Sequence, residues 1–131
     1  MSKTITGTAI NPSPTIVMEA GEALTDARYR ALAIKDGKLA LPGAGANVIG
    51  IAIGETDEIV DKGDDVTVQI KDIGKWEAAA AIAVGAELAT DATGKATTAA
   101  SGQFVLGVAL TAATAAGQLV QVQITKQGYK A

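Results

Sequence analysis

The chain contains no histidine and no cysteine. That double absence removes imidazole general bases, thiolate nucleophiles, zinc sites of the Cys/His type, haem ligation and iron–sulfur clusters together. Serine is scarce as well, confined to Ser2, Ser13 and Ser101, so the remaining catalytic material is Thr, Tyr, Lys and carboxylates. No catalytic constellation, metal site or cofactor site is expected. Four aromatic residues and a net charge of −3 supply neither the stacking platforms nor the basic stripe that nucleic acid requires. The longest apolar run, residues 78–84, covers seven positions, where a membrane helix needs roughly 20. The expectation is a soluble chain, with no apolar segment near its start to mark it for secretion. Without cysteine, a disulfide-stapled secreted scaffold is excluded.

What the sequence does have is 27 Ala and 15 Gly in 131 residues. Val, Ile, Leu and Phe make up about 24% of the chain, above the roughly 20% below which chains stay disordered. One domain with a packed core is the expectation. The glycines recur about every nine residues, and the stretches between them are rich in Val, Ile and Thr, which suit a half-buried strand. Asp36-Gly37, flanked by Leu32-Ala33-Ile34-Lys35 and Lys38-Leu39-Ala40-Leu41, is the preferred pair for a type I′ hairpin turn. That register sets Ile34 against Leu39, Leu32 against Leu41, and Lys35 against Lys38.

The strongest signal is internal repetition. Residues 37–53 superpose without a gap on residues 94–110, an offset of 57. Gly37-Lys38 matches Gly94-Lys95, Gly45 matches Gly102, and Val48-Ile49-Gly50-Ile51-Ala52-Ile53 matches Val105-Leu106-Gly107-Val108-Ala109-Leu110. Each copy ends in a period-two strand, Val66-Thr67-Val68-Gln69-Ile70 and Val120-Gln121-Val122-Gln123-Ile124. Upstream, Gly21-Glu22-Ala23-Leu24 resembles Gly85-Ala86-Glu87-Leu88. Gly50 and Gly107 interrupt strands at matching places and predict a bulge, a sheet corner or the close approach of another backbone, the corner being favoured. The Ala-rich stretch at 77–83 has helical propensity, yet Gly74 and Gly85 bracket too few residues for a stable helix.

These features predict an all-β fold, a small partly open barrel or sandwich of two related β units at 15–73 and 74–125. An extended N-terminal arm at 1–14 precedes a single domain at 15–131. The arm comprises Ser2, Lys3, Thr4, Ile5, Thr6, Gly7, Thr8, Ala9 and Ile10, and the prolines of Asn11-Pro12-Ser13-Pro14 cut it off from the body. An extended segment with few partners at home is suited to pairing with another chain's sheet edge.

Other motifs read as scaffold. Gly43-Ala44-Gly45 opens like a dinucleotide fingerprint, but Val48 occupies the third glycine position and no helix follows, so a plain turn is expected. Residues 54–65 hold six carboxylates whose spacing fails the EF-hand rule, and they read as a solvated loop. Trp76, the only tryptophan, and Phe104 are each expected either to be partly buried strand residues covering the seam between the two units or to anchor a subunit interface.

Gly74-Lys75-Trp76-Glu77, the stretch from Ala81 to Leu88, Asp91-Ala92-Thr93-Gly94-Lys95, Gly107-Val108-Ala109-Leu110 and Val120-Gln121-Val122-Gln123-Ile124 together resemble the capsid cement, or head decoration, family of tailed bacteriophages. The resemblance implies a β-rich structural protein on the outer surface of the virion head, made in the host cytoplasm. It further implies binding to the major capsid protein, often as a homotrimer at local three-fold axes, with an N-terminal arm that orders on the shell. A rival reading, a β adhesin module that binds glycans, fits a chain with four aromatics poorly. A carboxylate-based hydrolase ranks third, for want of His and Cys.

Overall fold

The structure is a computed structural model and describes residues 13–54 and 59–131. Among these there is no helix. Two five-stranded antiparallel sheets form the body. In the first, β1 (Thr15–Glu19), β7 (Asp65–Gln69), β5 (Gly50–Ala52), β3 (Ala31–Lys35) and β4 (Lys38–Ala40) lie side by side in that order. In the second the order is β8 (Asp72–Glu77), β12 (Leu119–Tyr129), β11 (Phe104–Ala109), β9 (Glu87–Thr90) and β10 (Ala96–Thr98). A small third sheet pairs β2 (Leu24–Thr25) with β6 (Ile59–Val60).

The two large sheets have the same topology, strand for strand. Leu32 pairs with Gly50 as Leu88 pairs with Gly107. The first strand of each sheet ends in an alanine that forms an isolated parallel bridge to the last hairpin strand, Ala20 to Leu39 and Ala78 to Ala96. Each of those alanines donates its N–H to the strand beyond, at Asp64 O and Gln118 O, and accepts from a glycine with positive φ, Gly63 or Gly117. The bridges draw the two ends of each sheet together without closing a barrel, and the architecture is an all-β sandwich.

Gly50 and Gly107 turn out to serve close backbone approach rather than a corner. A Cβ built on either glycine would lie 2.1 Å from a carbonyl oxygen, that of Gln69 or of Gln123. Both sit in inner strands of their sheets, so no side chain fits between neighbouring backbones. The register also corrects one expected match. Leu88 corresponds to Leu32, whereas Leu24 pairs with Val60 in the small sheet, where the second unit has the isolated bridge Ile82 to Ala113.

Each unit has its own core, built from the inward alternation of its strands. The first comprises Ala20, Leu24, Ala27, Leu32, Leu39, Ala52, Val60, Val66 and Val68. The second gathers Trp76, Ala78, Ile82, Leu88, Leu106, Val120, Val122 and others, and it is completed by Ala31, Val48 and Ile51 from the opposite face of the first sheet. Each fully buried Val, Leu or Ile contributes roughly 1.5–3 kcal/mol, so this borrowed trio is a substantial part of what docks the units. Backbone bonds tie the same seam: Ala31 N–H to Gly94 O at 2.7 Å, Glu77 N–H to Tyr29 O at 2.9 Å, and Gly45 N–H to Thr90 O at 2.8 Å.

On the second unit, the positions matching Ala31, Gly45 and Val48 are covered by the chain's own C-terminal end. Lys130 forms an ion pair with Glu87, its carbonyl accepts from Gly102 N–H, and Val105 pairs with Gly128. The Asp36-Gly37 hairpin has the expected geometry, with φ of 52° and 77° and with Ile34 opposite Leu39 and Lys35 opposite Lys38. Residues 77–83 form no helix, and Gly43-Ala44-Gly45 is a turn in which Ala46 N–H donates to Gly43 O.

Candidate docking surface

The arm residues 2–10 lie outside the described residues. Their root does not. Pro14 O accepts from Ile70 N–H at 2.8 Å, and Thr15 pairs with Gln69, so the chain enters the body along the outer side of the first sheet. In an antiparallel pair only alternate residues direct their N–H and C=O groups at the partner strand. The backbone of Val17 in β1 and of Lys75 in β8 is therefore turned away from the neighbouring strand, toward the sheet margin. Beside Lys75 lies a cavity of about 360 Å³ lined by Tyr29, Ile53, Gln69, Ile73 and Gln121.

Trp76 is wholly buried within the single chain, and its indole N–H donates to Gly94 O at 2.8 Å. Its surface is consumed at the seam between the units, leaving none for a neighbouring subunit. Phe104 is only 6% exposed and meets Tyr129 edge-on, with ring centroids 5.4 Å apart. Tyr129 is 65% exposed, so it is the ring of this pair that faces outward.

Next to Phe104, β12 bulges. Val105 pairs with Gly128 and Gly107 with Ile124, which leaves Thr125, Lys126 and Gln127 opposite Leu106 alone. Lys126 adopts φ 46° there and sets its ammonium 5.6 Å from the Phe104 ring centre. Burial of part of its stem pushes its pKa below the ordinary 10.5. With Ile34, Asn47 and Ile49 of the first unit, this second-unit lysine lines a cavity of about 190 Å³.

Ile16, Met18, Ile49 and Ile70 are only half-buried against the first core, and Ile34 and Leu41 of the same unit are exposed. Sequence reasoning did not single out these residues, although the repeat carried a signal for them. Ile34 and Leu41 of the first copy stand where the second has Thr90 and Thr98, an inversion of polarity between matched positions.

Among the described residues no three carboxylates come together to hold a metal ion. In the acidic segment, the described members Asp61, Asp64 and Asp65 are exposed, and Asp64 Oδ2 accepts from the Asp61 N–H at 3.3 Å. The polar groups that do converge serve the fold: Asp91 Oδ1 accepts from Thr93 N–H, Thr93 Oγ1 and Lys95 N–H, holding the loop that carries Gly94.

The described residues form an all-β body of two matched units, in which Asp91 holds a turn and Lys38, Lys95 and Lys130 form ion pairs. The chain belongs to the phage cement protein family, whose model matches residues 18–124. Its fold is similar to that of the N base of the head fiber gp8.5 of bacteriophage phi29, a crystal structure superposing with a TM-score of 0.67 at 24% identity, over 89% of this chain and 98% of that one. No curated protein matches.

Proposed function

We propose that this protein decorates the outer surface of an assembled phage head and stabilises the expanded shell against the pressure of packaged DNA. The observation that carries the reading is the family match across residues 18–124. A protein that binds the expanded lattice and not the unexpanded one stabilises the expanded form by mass action. No catalysis is needed for that role. Residues 2–10 are the contact arm, adding a strand to an edge of the major capsid protein. Main-chain hydrogen bonds supply affinity, and alternate side chains such as Thr4, Thr6 and Thr8 supply specificity. The arm must offset an ordering cost of about 1–2 kcal/mol per residue, so one arm binds modestly. In a homotrimer on the head, three arms act together through effective concentration. Tyr129, seated on Phe104, is the aromatic anchor of the subunit contact.

Titrating purified protein onto expanded and unexpanded empty heads tests this. Saturable binding to expanded heads alone, in copy numbers divisible by three, is the expected result. Deleting residues 2–10 lowers occupancy at least tenfold, or about 1.4 kcal/mol. Equal binding to both head forms, or full affinity without the arm, refutes the respective part.

A further inference from the structure

β8 is the outer strand of the second sheet, and the two ends of its free side are tied to other parts of the chain. Glu77 N–H donates to Tyr29 O at 2.9 Å, and Ile73 O accepts from Gln69 Nε2 at 2.9 Å. Lys75, between them, is turned the same way, because alternate residues of an antiparallel strand direct their backbone groups to the same side. Among the described residues nothing pairs with its N–H or its C=O. The cavity of about 360 Å³ lies beside this gap, with half-buried Tyr29 and Ile53 and 59% exposed Ile73 in its lining. Its walls are fixed. Tyr29 adopts φ 65°, a left-handed conformation that a bulky residue keeps only where its surroundings enforce it, and its N–H is bonded to Ala52 O at 2.7 Å. Gln69 Nε2 donates to Lys71 O as well, also at 2.9 Å, which pins the bend from β7 into β8.

The charge around the gap has one sign. Lys75 is the charged residue in the lining, which contains no carboxylate, and Asp72 of the same strand does not reach it. Arg28 holds its guanidinium 4.8 Å from the centre of the Tyr29 ring, and Lys71 stands at the bend. Arg28, Lys71 and Lys75 are exposed and form no ion pair among the described residues. The carboxylate of Glu77 is taken by Arg30 and Lys95, at 3.7 and 3.3 Å. We propose that this gap is a docking groove for an extended acidic segment of the major capsid protein, which adds to β8 as a further strand of the second sheet. The inference rests on the head-binding reading above. One residue of the segment exchanges N–H···O bonds in both directions with Lys75, and its carboxylates meet Lys75, Lys71 and Arg28. Lysine on an outer strand commonly wards off stray strands. An acidic strand it attracts instead, so the same side chain selects the partner. Arg28 and Tyr29 come from the first unit and Lys75 from the second, so only the docked pair of units offers the groove.

Three variants test the groove on expanded empty heads. Lys75→Pro removes the outward N–H and the ammonium together, and it spares the bonds to β12 because an outer strand tolerates proline where the N–H points away from the sheet. Lys75→Gln removes the ammonium alone. Arg28→Glu combined with Lys71→Glu reverses the flanking charge and has no ion pair to break. Lys75→Pro and the double reversal are each expected to lower affinity at least about tenfold, and Lys75→Gln by less. The double reversal is expected to keep the Tm of the free protein within about 3 °C of the parent. Parent-like affinity of the double reversal, or of a folded Lys75→Pro protein, overturns the proposal and leaves the head-binding reading standing. A parent protein that does not bind heads overturns that reading and this one with it. A larger fall in the Tm of the double reversal without heads makes a segment of this chain the occupant and overturns the proposal. So does a parent dimer in solution that the double reversal dissolves, which makes a second copy the occupant.

Discussion

Glycine substitutions separate three physical effects that this fold holds apart. At Gly107, an added methyl would lie 2.1 Å from Gln123 O and 3.0 Å from the carbonyl carbon. Both are backbone atoms of the neighbouring strand, so no rotamer change relieves the clash. The β11–β12 ladder must part locally. Overpacking costs roughly 1–3 kcal/mol, and each ladder hydrogen bond weakened adds about 1 kcal/mol, so Gly107→Ala is expected to cost about 3–5 kcal/mol. Restricting the unfolded chain returns only about 0.4–1 kcal/mol, so the clash dominates. Gly50→Ala, with Gln69 O at the same 2.1 Å, should match it. At Gly37 the space is open but φ is 77°, and Ala incurs only the left-handed backbone penalty of about 1–2 kcal/mol. Gly43 has neither a near neighbour nor a positive φ, so Gly43→Ala is neutral or stabilising by up to about 1 kcal/mol. Thermal denaturation followed by circular dichroism reads all four variants, with 1 kcal/mol corresponding to roughly 3–6 °C at this length. The expected order of Tm loss is Gly107 and Gly50 together, then Gly37, then Gly43. A Gly107→Ala or Gly50→Ala protein melting within about 3 °C of the parent would refute the close-approach account.

Trp76→Phe removes the indole N–H bond to Gly94 O, which keeps Ala31 N–H as a donor at 2.7 Å. It should cost about 2 kcal/mol through the lost bond and the residual void, measured as a Tm decrease of roughly 6–12 °C. Lys126 has its folded-state pKa depressed by desolvation, so below that value folding must partly dehydrate a charge, and above 10.5 the group is neutral in both states. The destabilising contribution therefore fades as pH rises through the window just below 10.5. Lys126→Met is expected to melt above the parent at pH 7, with the gap narrowing toward pH 10.5, and a gap independent of pH would count against this origin.

The sequence made the topology readable where a turn demands a left-handed residue. Gly37 and Gly94, and Gly45 and Gly102, all adopt positive φ at the matched offset, so the repeat registers backbone geometry that few other residues tolerate. The match failed between Leu24 and Leu88, because the connections of the two units differ in length and a Gly-x-x-Leu string starts more than one kind of strand. The role of Gly50 and Gly107 was legible only as a choice of three, since a missing side chain does not reveal which neighbour fills its place. For Trp76 the sequence left a seam position and an interface anchor both open, because its complete burial depends on Ala31, Val48 and Ile51, residues far away in the chain and ordinary in composition. Ile16, Ile49 and Ile70 look like core residues in any strand pattern, and the pattern does not show that they are only half-buried.

The unequal ownership of the two cores sets an order of assembly during synthesis. All the fully buried members of the first core lie between Ala20 and Val68, so that core can close while the rest of the chain is still within the ribosome. The second core includes Ala31, Val48 and Ile51, so it has no complete form until the first sheet exists to present them. Vectorial translation delivers the two halves in that sequence, since N-terminal parts emerge and fold first. The first half acts as a template on which the second condenses, and the second in turn supplies the carbonyls that accept from Ala31 and Gly45 N–H.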